Sequence, residues 1–105
     1  MYGLTSENIH DIKVVFSRHK EVENAILYGS RAKGNHKPSS DIDISLVGNS
    51  ITLTIQLEIA TQLDDLLLPY KIDLSIYHKI ENKEFVEHID RVGIKKKKKN
   101  IDWKE

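Results

Sequence analysis

Apolar residues recur along the chain at two periods, and each change of period marks an element. Ile9, Ile12, Phe16 and His19 keep helical spacing. This predicts a first helix capped by Thr5, with Leu4 and Ile9 as a hydrophobic staple, ending near Lys20. Asn24–Tyr28 (NAILY) reads as a short buried strand halted by Gly29-Ser30, and residues 29–40, rich in glycine, serine and lysine, read as a loop. From Asp41 to Val47 the period becomes two: Ile42, Ile44 and Leu46 share one face, while Asp41, Asp43 and Ser45 share the other. A turn at Gly48-Asn49-Ser50 leads into a helix over about Thr52–Leu68. Its core stripe is Ile55, Ile59, Leu63 and Leu66, and Pro69 stops it. Lys71–Tyr77 repeats the strand pattern, with Ile72, Leu74 and Ile76 inward and Asp73, Ser75 and Tyr77 outward. A last helix, Asn82–Val92, turns Phe85, Ile89 and Val92 to one side and closes at Gly93 as a C′ residue.

Three strands with one apolar face, covered by helices on that side, predict a two-layer α/β sandwich. Its other face is then open and carries three carboxylates. The chain has 105 residues, the size of one domain, and no cysteine, which excludes a disulfide framework, a thiolate metal site and a cysteine nucleophile. No apolar run approaches the roughly 20 residues needed to span a bilayer, and the first residues lack the basic and apolar segments of a secretory signal. The expected location is therefore cytoplasmic, with no membrane partner. Net charge is zero, so charge as a whole names no partner and nucleic acid is not expected. The balance hides an asymmetry, however. Residues 1–94 hold 10 basic and 14 acidic side chains, whereas residues 95–105 hold 6 and 2. The expected organisation is a domain over 1–94 and a lysine-rich polar tail over 95–105.

Asp41 and Asp43 lie two apart on a strand and project the same way, and Asp73 joins them if the second and third strands are neighbours. Three unpaired carboxylates repel one another, and two divalent cations would relieve that repulsion. Magnesium prefers hard oxygen ligands, and two such ions about 3.5–4 Å apart clamp the attacking and leaving oxygens of a phosphoryl or nucleotidyl transfer. Just upstream, Gly29 leaves room for close backbone approach. The amides that follow it, with the Ser30 hydroxyl, can hold a triphosphate. Competing motifs fail. Gly29–Gly34 opens like a Walker A loop, but Asn35-His36 stands where Lys-Ser/Thr is required. The isoleucines around Asp41 and Asp43 rule out an EF-hand. The histidines lack metal-ligand spacing, and the tyrosines read as packing residues, apart from Tyr77, which could meet a base.

Gly29-Ser30, ten residues, then Asp41-Ile42-Asp43 resembles the signature of the polymerase-beta-like nucleotidyltransferase superfamily. The run YGSRAKGNHKPSSDIDIS resembles more narrowly the minimal nucleotidyltransferase (MNT) group, with Asp73 in YKIDLS at the position of the third acidic residue. The resemblance covers about residues 4–94. It implies a mixed sheet of about three strands with helices on one face, and an enzyme using ATP and two Mg2+ ions. Asp41 and Asp43 would bind both metals and Asp73 the catalytic one, where Asp73 could also orient or deprotonate the acceptor. Gly29 and Ser30 would hold the phosphates. Arg31 and Lys33, the latter where an arginine is common, would either neutralise the leaving pyrophosphate or face solvent or a partner. The group's members are usually paired with a HEPN-domain RNase toxin, and as antitoxins move AMP onto a tyrosine of it. A homo- or hetero-oligomer is consistent with that pairing. The alternative is a catalytically silent subunit that neutralises the toxin by occlusion. A drug- or tRNA-modifying transferase would be expected to carry a second domain for its acceptor.

Overall fold

The computed structural model describes residues 2–93, so the lysine-rich tail expected over 95–105 lies outside the described residues. Helix α1 (Ser6–Ser17) begins at Thr5. The Thr5 hydroxyl accepts from the Asn8 amide at 3.0 Å, and the Asn8 side chain accepts from the Thr5 amide at 3.2 Å, a capping box built with asparagine rather than glutamate. Leu4 and Ile9 are both buried, as a staple requires. The helix stops at Ser17, before His19, whose Nε2 pairs instead with Gln62 Oε1 at 2.9 Å. Strand β1 (Asn24–Tyr28) leads directly into a short helix α2 (Gly29–Lys33) where the composition predicts loop. Gly34, in the left-handed region at φ 83°, ends α2. Strand β2 (Ile42–Val47), helix α3 (Leu53–Asp64, capped by Thr52) and strand β3 (Ile72–Ile76) follow. A 3-10 turn (Tyr77–Lys79) and helix α4 (Lys83–Val92, capped by Asn82) complete the fold.

The sheet has the order β1-β2-β3, with β1 antiparallel and β2 parallel to its respective neighbour, Tyr28 opposite Asp43 and Asp43 opposite Asp73. This is the mixed three-stranded sheet that the resemblance implies. On one face Ala25, Leu27, Ile42, Ile44, Leu46 and Ile76 pack with Ile9, Ile12, Val15 and Phe16 of α1 and Ile59 and Leu63 of α3. Burying such a set is the main driving force of the fold.

The other face is covered in part. Ile26, Tyr28 and Val47 meet Phe85, Ile89 and Val92 of α4, a second, smaller cluster. Helix α4 thus lies opposite α1 and α3, not beside them, and only the β2–β3 side of this face is left for polar groups. Two details at its ends differ from expectation. Gly93 is not left-handed (φ −69°). It is glycine because a Cβ there would stand 2.4 Å from Ile26 Cγ2 and 2.4 Å from the Ile89 carbonyl oxygen. Tyr77 leaves the strand, packs into the small cluster and donates its hydroxyl to Asp90 at 2.7 Å, so it is committed to α4 and not presented to a base. No described helix is long and apolar enough to cross a membrane.

Candidate active site

The parallel register places Asp73 directly opposite Asp43 on the face that α4 leaves uncovered. Asp43 is half-buried, whereas Asp73 is exposed, and Asp41, just outside β2, is exposed on the same side. The Asp43 carboxyl is pushed above the usual carboxylate range, first by burial and then by the like charges of Asp73 and Asp41. Arg31 acts in the opposite sense and is the weakest of these influences. Among the described residues the three carboxylates do not close into a ready-made ligand set. Their chemistry nevertheless suits a hard divalent cation: all donors are oxygen, and each gains from a neutralising charge.

Gly29 meets the carboxylates from the end of β1. Its φ is +75°, and a Cβ built there would lie 2.3 Å from Asp43 Oδ2. Any other residue would collide with the carboxylate and carry left-handed strain as well. The Gly29-Ser30 backbone therefore runs beside the acidic face, with Ser30 half-exposed in the first turn of α2 and Lys33 exposed in its last. These five residues—Gly29, Ser30, Asp41, Asp43 and Asp73—converge on one side of the sheet. The Tyr28 phenol borders them. It is stacked edge-on against Phe85 (centroids 5.5 Å apart) and His88 (6.4 Å). Burial raises its pKa, and Asp43 and Asp73 add to that. The Ser75 hydroxyl opposes the shift without meeting hydrogen-bond geometry.

Arg31 departs from the expected placement. It is 1% exposed, so it does not face solvent, and it donates to backbone carbonyls. Nε and Nη2 donate to the Ser40 carbonyl (3.2 and 2.9 Å), Nη1 donates to the Tyr2 carbonyl (2.9 Å), and the guanidinium lies 4.5 Å from the Tyr70 ring centroid. The guanidinium is thus committed to the protein, and Lys33 is the cation that remains accessible on α2. Sequence reasoning could not find this, because Tyr2, Ser40 and Tyr70 are separated by tens of residues. The shallow depression on α3 lined by Thr54, Leu57, Glu58, Thr61 and Gln62 includes none of the site residues.

A family profile described as "Polymerase beta, Nucleotidyltransferase" matches residues 10–101. Comparison with curated protein sequences gives no match. Two solved structures share the fold. One is a toxin–antitoxin complex with AMP-PNP, at 21% identity and TM-score 0.67, the alignment covering 93% of this chain and 74% of that one. The other is a doubly substituted variant of the MntA–HpeT toxin–antitoxin, at 18% identity and TM-score 0.65, covering 88% and 71%. The profile spans most of the sequence, including every residue that converges on the acidic face, and the chain belongs to the polymerase beta nucleotidyltransferase family.

Proposed function

We propose that this nucleotidyltransferase acts as an antitoxin, moving AMP from ATP to a tyrosine hydroxyl of a HEPN-type partner toxin. The observation that carries the reading is the register pair Asp43–Asp73, with Asp41 beside it and the Gly29 backbone pressed against Asp43. Toxin–antitoxin complexes of the same fold, one with AMP-PNP, support the choice of partner and nucleotide.

Asp41 and Asp43 would hold two Mg2+ ions and Asp73 one of them, and bound there the metals would polarise the α-phosphate and stabilise the departing pyrophosphate. The Gly29 and Ser30 amides and the Ser30 hydroxyl orient the β- and γ-phosphates. Lys33, exposed on the same short helix, offsets charge on the leaving group. Asp73 faces the acceptor side and takes the proton of the attacking phenol, whose ordinary pKa of about 10 leaves it protonated at neutral pH. The phenolic oxygen then bonds to the α-phosphorus as the bond from that phosphorus to the bridging oxygen breaks. The electron pair leaves with pyrophosphate, and Asp73 returns its proton to solvent.

Intact mass spectrometry of the partner after incubation with the protein, ATP and Mg2+ is expected to show one or more added AMP units. Asp73→Asn is expected to slow the addition by about 100-fold or more, the scale of a general-base contribution. Exposed Leu53 and Leu57 on α3 give the occlusion alternative a surface to act through. A partner whose mass is unaltered while its RNase activity is blocked would establish that alternative.

A further inference from the structure

We propose that Arg31 is a positioning residue for the metal-binding carboxylates, an inference that rests on the metal site of the reading above. The guanidinium is shut off from solvent, and the segments it joins are those that deliver the carboxylates. The Ser40 carbonyl, which accepts from Nε and Nη2, belongs to the residue immediately before Asp41. Tyr70, against whose ring the guanidinium stacks, lies three residues before Asp73. Directly beyond these two contacts, the Ile42 amide donates to the Lys71 carbonyl at 2.8 Å and starts the β2–β3 pairing. Arg31 itself sits on α2, two residues after Gly29, whose backbone presses on Asp43. The N-terminal turn closes over it: Nη1 binds the Tyr2 carbonyl, and a Cβ on Gly3 would stand 2.6 Å from the same nitrogen.

One planar cation thus sets the start of β2, the start of β3 and the α2 backbone relative to one another. Lysine keeps the charge but cannot make the fork to Ser40, reach Tyr2 and present a flat face to Tyr70 together. The side chain acts through the carboxylates, in the manner of outer groups that orient metal ligands.

The test is Mn2+ binding to the full chain by calorimetry, with Mn2+ as the probe and folding checked by circular dichroism below each variant's own unfolding temperature. Arg31→Lys is expected to bind Mn2+ about 10-fold or more weakly, the usual scale for loss of a group that orients a ligand. Tyr70→Leu keeps every hydrogen bond of Arg31 and removes only the stacking, so a smaller loss is expected. Folded Arg31→Lys with wild-type Mn2+ affinity and only a lowered melting temperature would make Arg31 a stability residue and overturn the inference. If Arg31→Lys does not fold, wild-type affinity in Tyr70→Leu overturns it. A wild-type chain that binds no Mn2+ would instead remove the metal site itself, and the positioning role with it.

Discussion

Asp43 is held half-buried with two other carboxylates on its own face, so its charged form is disfavoured in the folded chain. A carboxyl whose folded pKa is raised binds more protons folded than unfolded between the ordinary value of 3.8 and the raised one. Stability contributed by this group is therefore lost as pH rises through that window, and the charged form penalises the fold above it. Asp43→Asn removes the penalty. In metal-free buffer it is expected to melt above wild type at pH 7, and the gain should vanish as pH falls below the ordinary carboxylate range. Melting curves with a chelator at several pH values check this. An equal gain at every pH would locate the effect in packing rather than charge. The same residue shows how much of the site could be read from the chain. The Asp-x-Asp spacing and the alternation around it fix which side each carboxylate takes, because side chains on a strand alternate strictly. Alternation says nothing of Arg31, which reads as a loop cation yet is one of the most buried side chains.

At the scale of elements, α4 decides how much of the acidic face is open. Its apolar side, Phe85, Ile89 and Val92, is legible as a stripe, but a stripe does not name what it packs against. The missed signal lies in β1: Ala25, Ile26, Leu27 and Tyr28 are apolar in succession, the mark of a strand buried on both faces. Helix α4 supplies the second cover. Ile89 is fully buried at its centre. Ile89→Ala is expected to cost about 2–5 kcal/mol, the usual range for emptying a buried isoleucine site. That is a large share of the roughly 5–15 kcal/mol that holds a domain of this size together. Urea denaturation should show the midpoint falling with the slope unchanged. A change below about 0.5 kcal/mol would mean that α4 is only loosely docked. Helix α2 was missed for a different reason: five residues containing glycine and two cations carry no apolar period, and its geometry is set by Gly34 and by the burial of Arg31.

For the whole molecule, ligand binding and folding are linked. A ligand at ten times its dissociation constant, binding only the folded chain, stabilises it by about 1.4 kcal/mol. For a domain of this length that corresponds to a melting temperature higher by roughly 5–10 °C. Mg2+ with a non-hydrolysable ATP analogue is expected to produce such a rise in the wild-type chain and none in Asp43→Asn, although the variant starts from the higher temperature. This crossing of the two effects is the signature of a site whose charge opposes folding and serves binding. A rise of equal size in both proteins would place the nucleotide elsewhere.

The sequence alone determined the order of the three strands and the three longer helices, the inward isoleucines and leucines, and the outward Asp41, Asp43 and Asp73. All of these follow from period and local spacing, which act over a few residues. The glycine at 29 was also legible as a point of close approach, although only the fold identifies Asp43 as what approaches it. Tertiary structure decided three things: that β3 lies beside β2 with Asp73 opposite Asp43, that α4 crosses to the second face, and that Arg31 turns inward to Tyr2, Ser40 and Tyr70. Each depends on segments far apart in the chain. Their meeting is set by which faces must be buried and by which polar groups need partners once buried, and no local pattern encodes it.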